Sequence, residues 1–283
     1  MFANNHNRFH SVAHPSTNEF SGFKEVLAAN RGTRRFGKRS FVFNRLGSTN
    51  SYAKRLAAKG SAEGTLVIAE KQTRGRGRRG RRWESAPGKG LWISLILRPD
   101  LEADKAGLLA LLAGLSVAQT VETHLNLSAE LKWPNDVLIQ SKKFCGILSE
   151  AEISARQRLA WIVLGIGLNV NHLLEDFSDE IRPRATSLAI ECGSPVSRSE
   201  LLLAFLGVLE ENYLKLKQGG AAYFLQQWIR RCPTFKKRIL LRQDETEMEG
   251  IFEDLDAGGR MLLRLANGEI RRISAGEVII QPE

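Results

Sequence analysis

Gln72-Thr73-Arg74-Gly75-Arg76-Gly77-Arg78-Arg79-Gly80-Arg81-Arg82-Trp83 joins two apolar, strand-like runs, Gly64 to Glu70 and Leu91 to Arg98. From Lys71 to Trp83 the chain carries seven basic side chains, three glycines and no acidic residue. Such a segment cannot be packed into a core. Its guanidinium forks and accessible backbone N–H groups suit a phosphate or carboxylate brought in by a ligand, and without that ligand self-repulsion predicts a mobile loop. Taken alone, the run also reads as a solvated charged stretch, a localisation signal or an arginine-glycine RNA-binding tract. Its place between two strands, inside a globular domain, favours a binding loop at the end of a sheet.

Working outward, 283 residues with 43% hydrophobic content suffice for one large core and a smaller second one. The formal charge of +10 invites a nucleic-acid reading. Residues 1–40 carry +5 of it and the loop +7, which leaves the rest of the chain at −2. The body of the protein is therefore not basic. Cys145, Cys192 and Cys232 are odd in number and lack ligand-type spacing, so neither a disulfide framework nor a zinc site is expected, and a reducing cytoplasm fits best.

Residues 1–40 lack an apolar period and read as a flexible basic tail. His6, His10 and His14 would stack on a helix as metal ligands, but no helix signal supports that. The acid-poor, Arg-rich character also allows a transit segment. Phe41-Val42-Phe43 begins the folded part as a strand. Ser48-Thr49-Asn50 then forms a turn that caps a helix over 51–59, a good place for a small polar ligand. The apolar run 106–121 is too short and too broken by Gly114 and Ser116 for a membrane span, so a buried helix is expected. Leu131 to Asp136 brings a strand to a polar stop at Pro134, and 137–140 and 144–153 form a hairpin turning at Ser141-Lys142. The run 161–170 is a strand whose glycines invite close approach. Helices follow at about 199–217 and 221–230, and from Lys236 short alternating segments predict a small β-barrel. The expected domains are thus a tail at 1–40, a catalytic domain at 41–232 and a C-terminal barrel at 233–283.

Four polar clusters fall at strand ends: Ser48-Thr49-Asn50, the 72–83 loop, Lys132 to Asp136 with Lys143, and Gly165 to Asn169. Together they offer cations for phosphates, one carboxylate, amides for uncharged polar edges and Trp83 for a planar ring. That inventory suits nucleotide-dependent activation of a carboxylate. No P-loop occurs in the chain.

The sequence resembles the biotin protein ligases. The resemblance rests on Gly75-Arg76-Gly77-Arg78-Arg79-Gly80-Arg81-Arg82-Trp83, Lys132-Trp133-Pro134-Asn135-Asp136, Lys143-Phe144-Cys145-Gly146-Ile147-Leu148 and Gly165-Ile166-Gly167-Leu168-Asn169, in matching order from about Phe41 to the C-terminus. It implies an α/β (α+β) mixed-sheet catalytic domain like that of class II aminoacyl-tRNA synthetases, followed by an SH3-like barrel. It also implies a reaction: biotin and MgATP give biotinyl-5′-AMP, and a lysine of a biotin carboxyl carrier protein accepts the biotinyl group. Arg76, Arg78, Lys132, Lys143 and Asp136 are then the expected catalytic residues. Ser48, Thr49, Asn50, Gln72 and Gly77, with Arg76, Arg78 and Lys143, are expected around biotin. Arg78, Arg81, Trp83, Asn135 and Asn169 are expected around ATP. Asp136 would act on the acceptor lysine or on Mg²⁺, and Cys145 is taken as a packed residue.

The forty residues before Phe41 are too few and too irregular for the helix-turn-helix of some relatives, so no sequence-specific DNA binding and no membrane association are expected; a homodimer stays open. The rival readings are a lipoate-type ligase of the same superfamily and a nucleic-acid-binding module built on the basic loop.

Overall fold

The computed structural model describes residues 19–243 and 245–279, so the His6/His10/His14 cluster lies outside the described residues. Two sheets organise them. The larger has seven strands in the order β1-β2-β3-β7-β6-β5-β4, namely β1 (Ser40–Leu46), β2 (Leu66–Gln72), β3 (Gly90–Leu97), β4 (Glu130–Lys132), β5 (Asp136–Ile139), β6 (Lys142–Ile153) and β7 (Leu159–Asn169). It is mixed: β1 runs parallel to β2 and every other neighbour is antiparallel.

The central strands are buried on both faces, which is why they read as continuous apolar runs. Their alternate side chains enter different cores. Leu66, Ile68, Ile93, Leu95, Ile162, Leu164 and Ile166 join the main core, whereas Val67, Ile96, Trp161 and Val163 pack against Ala53 and Ala57 of helix α2. Helix α2 (Thr49–Ala58) thus covers one face, and α3 (Ala106–Leu125), α5 (Arg198–Lys217) and α6 (Ala221–Ile229) belong to the other; a short α4 (Leu188–Cys192) precedes α5. The stretch Ala103–Leu125 is long and apolar enough to cross a membrane, but 72% of its most apolar window is buried inside the protein. Its side chains are apolar around most of the circumference because sheet and helices enclose it.

The second sheet is antiparallel, in the order β11-β10-β9-β8-β12, with β8 (Arg238–Gln243), β9 (Thr246–Leu255), β10 (Met261–Arg264), β11 (Ile270–Ile273) and β12 (Glu277–Ile279). It is fixed to the first domain by the buried Trp133 indole, whose Nε1 donates to Gly259 O at 3.1 Å.

Two local expectations are corrected. The tail assigned to 1–40 does not extend through 19–40: helix α1 (Glu19–Ala29) buries Phe23 and Leu27, and Phe36 is 1% exposed. A buried carboxylate makes this possible, because Glu210 accepts from the backbone N–H groups of Arg34, Arg35 and Phe36 at 2.5, 2.7 and 3.0 Å. That partner lies more than 170 positions downstream. The β5–β6 hairpin turns at Gln140-Ser141, not Ser141-Lys142. Both turn residues have positive φ, 49° and 63°, as the two central positions of the hairpin turn that matches strand twist require.

Candidate active site

The sequence clusters meet in a cleft of about 750 Å³ between the mixed sheet, the basic loop and the start of β12. Its floor is made by absence. Gly146 pairs with Gly167 across β6 and β7, and Gly165 pairs with Ser94 on β3. A Cβ at Gly165 would sit 2.1 Å from Asn50 Oδ1, and one at Gly167 would sit 2.6 Å from Trp83 Cε2. Bare backbone at these two positions is what lets an amide and an indole lie against the sheet.

At one end, Ser48 caps α2 by accepting from Ser51 N, and the Thr49 backbone N–H donates to Gln72 Oε1 at 2.9 Å. Thr49 Oγ1 is 3.1 Å from Gln72 Oε1, and Ser94 Oγ is 2.8 Å from Thr49 Oγ1 and 2.5 Å from Asn50 Oδ1. Asn50 Nδ2 donates to Leu148 O and to Glu150 Oε2 at 3.2 and 3.1 Å. The amide of Asn50 is therefore engaged at both ends. Ser48, Thr49, Asn50 and Gln72 form one hydroxyl and amide cluster at the N-terminus of a helix.

At the other end, the Trp83 ring meets Trp92 edge-on at 6.2 Å, and the Lys143 ammonium lies 5.3 Å from the Trp83 ring centroid. The Trp83 Nε1 hydrogen has no acceptor among the described residues. Asn169 is 7% exposed and donates through Nδ2 to Thr186 O at 3.1 Å.

Between the two ends stand the cations. Lys143 Nζ is 2.6 Å from Asp136 Oδ1, an ion pair poorly aligned for a hydrogen bond. Lys132 has no carboxylate or hydrogen-bond partner among the described residues, and burial lowers its pKa, with Asp136 and Glu277 opposing that shift. Arg78 Nη1 donates to Asn135 Oδ1 at 2.8 Å and to Gly276 O at 3.4 Å, while Asn135 Nδ2 donates to Ile147 O. Burial lowers the Arg78 pKa as well. These groups are desolvated in advance of any anion, which strengthens what they offer to one.

The basic loop is folded back on itself. Gly77 N donates to Arg81 O and Trp83 N to Gly75 O, at 2.7 and 3.1 Å, around a single 3-10 turn at Arg78–Gly80 in which Arg79 takes φ 54°. Its self-repulsion is offset by partners that the sequence reading did not include: Arg76 Nη2 pairs with Glu150 at 2.7 Å, and Arg81 grips Glu277 through both nitrogens. Ser94 was also missed. Ser94 and Glu150 show only as polar interruptions of strands, and nothing local marks Glu277.

The donor set does not fit a resident metal at Asp136. Among the described residues no group of three or more His, Cys, Asp or Glu side chains could hold an ion, and Asp136 already faces an ammonium. Cys145 is fully buried and burial pushes its thiol up, so it is a packed residue.

Residues 42–169 match the Biotin/lipoate A/B protein ligase family and residues 237–280 the Biotin protein ligase C terminal domain. The chain is 41% identical over 233 residues to the Bifunctional ligase/repressor BirA of Bacillus spizizenii, covering 82% of this chain and 71% of that one. It is 31% identical to the Biotin--[acetyl-CoA-carboxylase] ligase of Mycobacterium tuberculosis, covering 94% of this chain and 96% of the relative. The structure of a biotin protein ligase from Aquifex aeolicus in complex with biotin and ATP superposes with a TM-score of 0.72 at 32% identity, over 87% of this chain and all of that one.

Proposed function

We propose that this chain, which belongs to the biotin protein ligase family, activates biotin with ATP as biotinyl-5′-AMP and transfers the biotinyl group to a lysine of a biotin carboxyl carrier protein. The observation that carries the reading is the convergence of Arg78, Lys132 and Lys143 between an amide and hydroxyl cluster at one end of a single cleft and an open indole face at the other.

In the first step a biotin carboxylate oxygen bonds to the α-phosphorus, the bond from that phosphorus to the bridging oxygen breaks, and pyrophosphate leaves. Anions must be brought together, so the work of the protein is positioning and charge neutralisation. Arg78, Lys132 and Lys143 supply the charge, with Arg76 at the root of the loop. Ser48, Thr49, Gln72 and Gly77 face the ureido end, with Asn50 holding that cluster in place. Trp83 stacks on the nucleobase, bordered by Asn169 and Asn135, and Arg81 closes the loop beside it. ATP enters with Mg²⁺ as part of the substrate.

In the second step the acceptor amine bonds to the acyl carbon, the acyl–phosphate C–O bond breaks and AMP departs. Asp136, beside Lys143, is placed to orient the incoming ammonium and take its proton. The mixed-sheet domain takes a class II aminoacyl-tRNA synthetase-like fold, and β8–β12 form an SH3-like barrel. We place the protein in the cytoplasm.

The test is biotin-dependent exchange of labelled pyrophosphate into ATP by the purified chain. Exchange with biotin and not with lipoate supports the reading. Exchange only with lipoate transfers it to the lipoate ligases, and exchange with neither, from folded protein with Mg²⁺, refutes it.

A further inference from the structure

Glu150 belongs to none of the clusters that define the cleft, yet its carboxylate joins three of the elements that shape it. It stands on β6 two and four positions beyond Leu148 and Gly146, hence on the same face of the strand as the glycine floor. Oε2 accepts from Arg76 Nη2 at 2.7 Å and from Asn50 Nδ2 at 3.1 Å, and Oε1 accepts from Lys54 Nζ at 2.8 Å. Its side chain is 19% exposed, against 41% for Arg76 and 39% for Lys54. The carboxylate is thus less exposed than either cation and is the common acceptor of all three donors.

Arg76 occupies the root of the basic loop. Beyond it the loop doubles back through the Arg76–Arg82 bridge, the Gly77–Arg81 hydrogen bond and the Arg78–Asn135 contact. Two of the loop arginines are therefore held by the catalytic domain, Arg76 by Glu150 and Arg78 by Asn135. The Asn135 contact lies inside the cleft, where a bound nucleotide competes for Arg78. In the Glu150 contact the carboxylate does not line the cleft, although Arg76 does.

We propose that Glu150 is a positioning residue, the fixed catch that holds the Gly-Arg loop closed over the acyl adenylate and so sets how long the intermediate is retained. The same carboxylate holds the Asn50 amide with Nδ2 outward, which leaves Oδ1 toward Ser94 and couples loop closure to the shape of the ureido end. The retention half of this inference rests on the ligase reading; the loop half does not.

Two measurements separate them. Limited trypsin digestion, with cuts mapped by mass spectrometry, reads loop opening without any ligand. Glu150→Gln and Glu150→Ala are expected to speed cleavage within residues 74–82 by about three- to tenfold, as befits a partly exposed pair reinforced by a second cation and an amide. Glu150→Asp should recover part of the protection, and the melting temperature of each variant confirms that the domain is folded. Unchanged cleavage in this loop overturns the catch. The second readout is biotinyl-5′-AMP released into solution per turnover of pyrophosphate exchange, expected to rise by a similar factor in Glu150→Gln. A ratio equal to that of the parent protein, with the loop demonstrably opened, overturns the retention role. Faster cleavage in the variants of a chain whose parent shows no exchange sustains the loop half and refutes the ligase reading.

Discussion

Arg81 and Glu277, 196 positions apart, face each other fork to fork, with Nη1–Oε1 3.0 Å and Nη2–Oε2 2.5 Å. The pair ties the basic loop to the first residue of β12 and so makes the C-terminal sheet a wall of the cleft. The Arg81 hydrogen bond holds the Glu277 carboxyl below its ordinary value. A depressed carboxyl contributes stability that is present above its unfolded pKa and lost as pH falls through the folded one, so the tie is intact at neutral pH. Both partners are partly exposed, at 64% and 34%, which limits the pair to about 0–1 kcal/mol and makes it salt-sensitive. Glu277→Gln is expected to raise the KM for ATP about two- to fivefold at low salt, with less difference from the parent protein at high salt. An effect that is equal at both ionic strengths contradicts the assignment.

Two glycines abut opposite ends of the cleft. A methyl at Gly167 collides with the Trp83 indole, and a methyl at Gly165 collides with the Asn50 amide. Gly167→Ala is therefore expected to raise the KM for ATP at least about tenfold with a smaller change for biotin, and Gly165→Ala to do the reverse. Steady-state exchange kinetics with each substrate varied in turn read this. Equal effects of both variants on both substrates would sink the division.

Lys132 supplies a pH signature. Burial lowers its pKa, so the Lys132 ammonium is lost below the ordinary lysine value of 10.5. The sign for stability is opposite to that of a paired lysine: with the folded pKa depressed, ionisation opposes folding below it, and that cost disappears once pH exceeds the unfolded value. The alkaline limb of kcat/KM for exchange is expected below pH 10.5 and should move to higher pH in Lys132→Arg, because a guanidinium stays charged. A limb unmoved by the substitution assigns the titration elsewhere.

Glu210 holds the 34–36 backbone from α5, a helix that packs directly against this segment. Glu210→Ala leaves three backbone N–H groups without their acceptor, one of them buried, and is expected to cost about 2–4 kcal/mol in a urea titration. Amides of α1 should lose hydrogen-exchange protection first. Glu210→Gln, which retains an acceptor oxygen, should cost less. Loss of protection spread evenly through the mixed sheet would mean that Glu210 supports the core at large instead of α1.

The sequence by itself determined the strands, the long helices, the placement of the loop between β2 and β3, and the chemical character of the four clusters. Each is a local matter: apolar runs bounded by glycine and proline, a serine cap, a density of guanidinium groups that no core accepts. Tertiary structure decided which of those groups are free and which are held. The loop reads as seven unopposed cations, yet Arg76 and Arg81 meet Glu150 and Glu277 from two different sheets. Residues 19–40 read as a tail because the carboxylate that orders their C-terminal part stands on α5. Gly165 and Gly167 announce a close approach in the sequence, but only the fold shows that Asn50 and Trp83 make it. The physical reason is common to all three. Coulomb partners and packing surfaces are set by distance in space, and a chain brings together residues whose separation along it carries no trace of the contact.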